Sequence, residues 1–418
     1  MAINDRWHTG QKQPDGKQHR SAEYGCKERW QVRWRDAGGR QRKKSFVRKL
    51  DAEAFEAKVK TTLADGSYVD PAAGKVSFRS YAEQWRKARM HDLATAERIE
   101  AAFRNHAYSA AGTPGKTVAG GPAIGDYPLR TLARTPSLLQ GWIAGLTTLH
   151  PNTARKVISD VSQVFKAAVA DRIIPANPLQ ADSIQAPKAV RTEAVPWTAA
   201  QIRAVADELP ARLGAIAYLG AACGLRQGEA FGVSLEDVDW LRGVLHVSVQ
   251  VKRVGSAWYW SPLKTRDARD VPITPPVIPV LSEHLRQFPA AAVTLPWGAP
   301  DGKPVSRDLM FSWPPGEAIK RNAFNRVWRR AWRAAGVPDR GRLNGMHVLR
   351  HSAASQWLSK GLGLAKTAAL LGDTQEVVLR TYSHFLPGDD DRARDIMAEF
   401  FTEPETEPSA RDVPRESR

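Results

Sequence analysis

Cysteine is scarce. Cys26 and Cys223 are the only two in 418 residues, too few and too scattered for a disulfide framework or a zinc cluster. A reducing compartment fits, and no metal or cofactor is expected. Long apolar runs are missing too, with none near the ~20 residues that a membrane span needs. The opening MAINDRWHTGQKQ has no apolar signal region, so the chain is expected to be cytoplasmic. The glycine-rich GTPGKTVAGGP (112–122) lacks phosphate-loop spacing around Lys116, so it carries no expectation of nucleotide binding. No internal repeat is visible.

Acidic residues are outnumbered, 44 against 61 Lys and Arg, which leaves a formal net charge of +17. Such an excess points to a polyanion, because cationic side chains that neutralise phosphates release condensed counterions. Nucleic acid is the favoured partner over a membrane surface, since no strongly basic amphipathic anchor with a broad apolar face is present. The composition, 42% hydrophobic and 25% charged, is that of a soluble globular protein, and the length asks for two or three domains.

Residues 1–75 hold +7 of the net charge. Within them RWQVRWRDAGGRQRKKSFV (29–47) has the alternation of a β-hairpin. Trp30, Val32 and Trp34 take one face; Gln31, Arg33 and Arg35 take the other, and the return strand brings Arg40, Arg42, Lys43 and Lys44. A helix is expected from about Asp51, with Ala52, Phe55, Val59 and Leu63 at helical spacing. A small three-stranded sheet with a basic face and one helix behind it suits reading a DNA groove; a merely solvated basic hairpin is the plain alternative. Residues 76–186 are expected to be all-helical. Their clearest helix, 151–172, lines up Ala154, Val157, Ile158, Val161, Val164, Phe165 and Ala168. Arg155 and Lys156 lie off that stripe and join the six hairpin cations as candidate DNA contacts. A polar linker at 185–197 leads to Thr198, which opens a capping box with Gln201. Residues 187–400 mix helices with a β region at 243–273, and the polar tail 401–418 is expected to be disordered. The fold class is therefore mainly α with small β-sheets. The helix around 322–336 carries Phe324, Val327, Trp328, Ala331 and Trp332 on one side; its arginines either touch phosphate or are simply solvated.

Four stretches in the last segment stand out together: CGLRQGEA (223–230), PLKTRDARDVPI (262–273), HVLRHSAA (347–354) and LGDTQEVVLRTYSH (371–384). They supply Arg226, Lys264, His347, Arg350 and Tyr382. Attack on a phosphodiester gathers negative charge on the non-bridging oxygens, which two arginines can clamp bidentately. A phenol with an ordinary pKa of about 10 must lose its proton to attack. A lysine can protonate the departing 5′-hydroxyl, and a histidine can shuttle protons near neutral pH. Each residue alone has a bland explanation as a surface cation, a structural pair or a core aromatic. Their joint presence in a basic chain is the signal.

These motifs resemble the tyrosine recombinase (phage integrase) family: the arginine motif GLRQGE, the hairpin lysine in KT, the HVLRH box, and LGD followed nine residues later by Tyr382. The resemblance spans about 190–400 and extends more weakly to 76–186, which is similar to a helical core-binding domain. The basic hairpin and its helix resemble the arm-type DNA-binding domain of integrases from actinobacteria and their phages. The resemblance implies an arm-binding domain (1–75), a core-binding domain (76–186) and a mixed α/β catalytic domain (187–400). It also implies a site-specific recombinase that integrates or excises a phage or mobile element through a 3′-phosphotyrosyl link at Tyr382. Arg226 and Arg350 would hold the scissile phosphate, Lys264 would protonate the leaving oxygen, and His347 would transfer protons. The implied partners are duplex DNA attachment sites, a homotetramer on DNA, a host DNA-bending protein and a directionality factor. A type IB topoisomerase and a non-catalytic DNA-binding regulator are the alternatives.

Asp373 departs from the pattern, which places His or Trp there as a hydrogen-bond donor to the phosphate. An ionised carboxylate only accepts, and at about 4 Å it would repel a phosphate oxygen by roughly 1–4 kcal/mol. Asp373 either turns away to orient Arg226 or His347, or is protonated in the complex, or leaves the enzyme slow or dead. His351 and His384 are expected to pack, and Glu229 to hold Arg226 or cap its helix.

Overall fold

The computed structural model describes residues 1–12, 18–36, 39–65, 68–69, 73–108, 122–190, 195–263, 268–314 and 316–385, with Arg394, Met397 and Ala398. The chain divides into two compact units, Met1–Arg191 and Thr192–Arg418.

The first unit opens with β1 (Ala2–Asp5), β2 (His8–Lys12), β3 (Gln18–Arg20), β4 (Trp30–Arg35), β5 (Gln41–Phe46) and α1 (Lys49–Ala64). Strands β1, β4 and β5 form an antiparallel sheet in the order β1-β4-β5, and β2 pairs with β3. The second hairpin was not expected, because HTGQK and QHR offer no apolar alternation to betray a strand. Period-two geometry turns Val32 and Trp34 inward onto Ala52 and Val59 of α1. Trp34 Nε1 donates to Tyr68 Oη at 2.9 Å.

The register divides the hairpin's cations between two faces. Val32 pairs with Lys44 and Trp34 with Arg42, so these two cations share the helix side of the sheet. Lys44 Nζ lies 4.7 Å from the centre of the Phe55 ring, and Arg42 is paired with Asp36. Arg33 pairs with Lys43 on the opposite face, where both are exposed. Arg35 is exposed on that same face, and Arg40 is exposed just before β5.

The rest of this unit is helical: α2 (Phe78–Ala88), α3 (Leu93–Phe103), α4 (Leu129–Arg134), α5 (Pro136–Gly145) and α6 (Pro151–Ala170). Its hydrophobic cluster is distinct from that of the sheet and includes the whole apolar stripe expected of α6. One acidic residue joins that buried face. Asp160 is 4% exposed and is held by Arg98 Nη1 at 2.6 Å and Lys156 Nζ at 3.1 Å, which ties α3 to α6. Arg155 Nη1 donates to the Pro187 carbonyl at 2.9 Å. The loop at 112–120 lies outside the described residues, as does the tail at 401–418.

The second unit runs α7 (Ala199–Glu208), α8 (Ala211–Cys223), α9 (Gln227–Ala230), β6 (Val238–Asp239), β7 (Val244–Val247), β8 (Val249–Val254), β9 (Ala257–Pro262), β10 (Arg269–Pro272) and α10 (Ile278–Gln287). It continues with β11 (Ala291–Pro296), β12 (Pro304–Leu309), α11 (Arg321–Ala334), α12 (His347–Ser359), α13 (Leu364–Leu371) and α14 (Gln375–Tyr382). Three small antiparallel sheets, β10-β7-β6, β8-β9 and β11-β12, pack among the helices, so the fold is mainly α with small β-sheets, as expected. Thr198 and Gln201 form the anticipated capping box. Helix α11 buries Phe324, Trp328, Ala331 and Trp332 while its arginines stay exposed. The Trp197 ring stacks on Trp328, and the Trp197 amide donates to Ser352 Oγ of α12 at 2.8 Å. Among the described residues no helix is long and apolar enough to cross a membrane.

Candidate active site

Two glycines set the backbone of the site. Gly224 ends α8 at φ +60° and Gly372 ends α13 at φ +63°, the left-handed region that only glycine enters without strain. Each turn leaves helix-terminal carbonyls without intrahelical partners, and arginines occupy them. Arg269 Nε donates to the Leu370 carbonyl at 2.8 Å, Arg350 Nη1 to that of Leu371 at 2.7 Å, and Arg226 Nη2 to that of Gly372 at 2.8 Å. Arg350 Nη1 also reaches the Gly224 carbonyl at 2.9 Å. Cations at helix C-termini meet the negative end of the macrodipole, so α13 is capped by three guanidiniums from three other elements.

Asp373 follows directly. Its Oδ1 accepts from Arg226 Nη2 and its Oδ2 from Arg350 Nη2. Burial works against its charge, but Arg350 and then Arg226 outweigh it and hold the carboxyl below its ordinary value. The carboxylate therefore draws the two guanidiniums to one point, and Arg350 itself is only 1% exposed. This places Asp373 on Arg226, as one of the three sequence readings had it. The second partner is Arg350 rather than His347.

Glu229, 2% exposed, accepts from the Arg226 amide at 3.0 Å and from Arg226 Nη1 at 2.8 Å, so it both caps α9 and braces that side chain. It also accepts from Arg269 Nη2 at 2.6 Å. Burial opposes its ionisation, and the hydrogen bond and charge of Arg269, then the charge of Arg226, hold its pKa down. Arg269 was missed by sequence reasoning. The signal was available: in β10 it alternates in phase with buried Val271, which aims it inward, and a buried arginine needs an acidic partner.

Helix α12 presents His347, Arg350 and His351 at relative positions 0, 3 and 4, which share one face. Tyr382, at the end of α14, is 3% exposed among Ala354, Leu358, Ala368, Leu371 and Val378. Its hydroxyl lies 2.8 Å from His351 Nδ1. The expectation that His351 merely packs is thereby corrected: it touches the hydroxyl. The His384 side chain lies outside the described residues.

Burial pushes the Tyr382 phenol up to about 12, against the opposing pull of Arg350. Burial first, then His347 and Arg350, lower His351 to about 4, so it is neutral at pH 7. His347 keeps an exposed edge, and its pKa is lowered by desolvation on its inner side and then by the charges of Arg350 and Arg226. Its ring centre lies 4.7 Å from that of His351, edge to face. Arg226, Arg350, Asp373, His347 and Tyr382 thus converge. Lys264, in the segment between β9 and β10, lies outside the described residues.

Residues 198–387 match the model of the phage integrase family. A phage integrase family domain therefore lies within the second unit of the chain. Among its relatives is the prophage phiRv2 integrase of Mycobacterium tuberculosis, 26% identical over 380 residues that cover 88% of this chain and 92% of the relative. The fold is similar to that of the Tn1549 transposon integrase solved with a circular intermediate DNA, at a TM-score of 0.61 and 18% identity, covering 77% of this chain and 99% of that one. It is also similar to lambda integrase in a tetramer bound to a Holliday junction, at a TM-score of 0.52 and 18% identity, with 82% and 92% covered. The family match encloses all four motif stretches of the sequence reading.

Proposed function

We propose that the chain is a site-specific DNA recombinase of the integrase type, which cuts and rejoins duplex DNA through a phosphotyrosyl link at Tyr382. The observation that carries this reading is the convergence of a buried phenol with a two-arginine pair: Tyr382 contacts His351, the neighbour in α12 of Arg350, whose guanidinium meets that of Arg226 at Asp373. Arg226 and Arg350 clamp the scissile phosphate and stabilise the charge that builds on its oxygens. Lys264 protonates the leaving 5′-oxygen, and His347 moves protons at the rim of the site. Asp373 acts as a positioning residue, keeping the paired guanidiniums aimed where the family pattern would place a donor. The phage integrase family match over residues 198–387 supports the reading.

The division into segments 1–75, 76–186 and 187–400 belongs to the same proposal. It is supported by separate hydrophobic clusters that end at Tyr68 and begin at Phe78, and by the unit boundary after Arg191. In this scheme Arg33, Arg35 and Lys43 contact DNA from the face of the first sheet away from α1. Action on a phage or mobile-element attachment site, a tetramer on DNA, a DNA-bending protein, a directionality factor and a cytoplasmic location complete it.

The test uses the full chain with nicked suicide duplexes that tile the DNA flanking its own gene. A covalent adduct mapped to Tyr382, lost in Tyr382→Phe and in Arg226→Ala, is the expected result. Binding without any adduct would favour the regulator reading. Relaxation of supercoiled plasmid without strand exchange would favour a topoisomerase.

A further inference from the structure

The family pattern assigns proton transfer to the first histidine of the HVLRH box, yet the second is the one that touches the tyrosine. His351 Nδ1 lies 2.8 Å from Tyr382 Oη, while among the described residues no hydrogen bond joins His347 to that hydroxyl. The contact is enclosed. Tyr382 is 3% exposed and His351 is partly buried, so water competes poorly for the phenolic proton. Local geometry fixes the pairing. His351 follows Arg350 in α12, and Arg350 is anchored to the Gly224 and Leu371 carbonyls, so the helix cannot rotate without breaking that anchor. Tyr382 is anchored from the other side through Val378 and Leu371 in the same small apolar cluster.

We infer that His351 is the general base of the cleavage step, taking the proton of Tyr382 as its oxygen attacks phosphorus. This rests on Tyr382 being the nucleophile. The step balances: the Oη–phosphorus bond forms as the phosphorus–O5′ bond breaks, the phenolic proton passes to His351 Nδ1, and the leaving 5′-oxygen takes a proton from Lys264. In rejoining, an incoming 5′-hydroxyl gives its proton to the neutral Lys264, and the tyrosine oxygen recovers the proton held on His351. A neutral imidazole in the free enzyme is the form this requires, since an imidazolium cannot accept. Lowered basicity in the empty site is compatible with the role, because the phosphate brings a negative charge that favours the imidazolium as it forms. His347, 4.7 Å away and exposed, is placed to exchange charge with solvent at the rim while His351 works inside.

Single-turnover cleavage of a nicked suicide duplex by the full chain tests this, with wild type, His351→Ala, His351→Asn and Tyr382→Phe compared at equal DNA occupancy. Both His351 variants are expected to cleave about 10²–10⁴-fold more slowly, the range for loss of a general base, and to lose the acid limb of the wild-type pH profile. A 5′-bridging phosphorothiolate, whose sulfur leaves without a proton, is expected to rescue Lys264→Ala but neither His351 variant. Asn keeps a polar group of similar reach, so wild-type rates in His351→Asn would reduce His351 to a positioning residue and overturn the proposal. Rescue of His351→Ala by the phosphorothiolate would overturn it too, by assigning the residue to the leaving group. An adduct still formed by Tyr382→Phe would instead overturn the nucleophile assignment beneath it.

Discussion

Arg350 acts on His351 and Asp373 in opposite senses. Burial, then His347 and Arg350, keep the imidazole neutral, while Arg350 and Arg226 keep the carboxylate ionised. The histidine contribution to stability has a definite sign. Its folded pKa, about 4, lies below the ordinary 6.5, so on acidification the unfolded chain takes up the proton first. Folding stability is therefore lost as pH falls from about 6.5 towards 4. Tm measured across that window should fall less steeply in His351→Gln than in wild type. The paired residues of the site were legible from residue type and order, because phosphoryl chemistry demands those groups whatever the backbone does. The His351–Tyr382 contact was not, since it exists only once α14 returns against α12. Asp373 lay between these cases: its mismatch with a phosphate was evident, but its second partner depends on where Arg350 projects in three dimensions.

At the scale of elements the site depends on the end of α13. Three arginines from α9, β10 and α12 meet its last carbonyls, and the chain then turns at Gly372 towards the helix that carries Tyr382. A Cβ on Gly372 would come within 3.0 Å of Arg269 Nη1, and one on Gly224 within 2.8 Å of Leu371 Cδ2. Gly255 shares their left-handed φ, but a Cβ there would meet nothing within 4 Å. Alanine at any of the three should cost roughly 1–2 kcal/mol for the backbone conformation alone. Only Gly224→Ala and Gly372→Ala should also slow single-turnover cleavage, by displacing the arginines. Comparing Tm with cleavage rate across the three variants checks this. Helix ends of this kind are readable in sequence as glycine after an apolar run; which side chains cap them is not.

Over the whole molecule the net charge of +17 makes duplex binding a counterion-release problem. For roughly 6–10 phosphate contacts, affinity should fall by about 10³–10⁵ between ~50 and ~200 mM salt. The register of the first sheet sharpens this. Arg33→Ala with Lys43→Ala should reduce the slope of log K against log salt by about 2, because both cations are exposed on the face away from α1. Lys44→Ala should instead lower Tm, because that ammonium packs on the Phe55 ring. Titrations at several salt concentrations separate the two outcomes. The mainly helical class with small sheets was legible from periodicity, whereas the split of the basic hairpin into two faces required strand pairing. The bridge of Asp373 across both arginines has a further consequence for selectivity. A carboxylate fixed to its own binding groups competes as a tethered ligand, at an effective concentration of about millimolar or more. Stray phosphate, nucleotides and other small anions meet that competitor with no other hold on the protein. A phosphate within a duplex gripped along its length is itself presented intramolecularly, so the clamp discriminates by delivery rather than by charge.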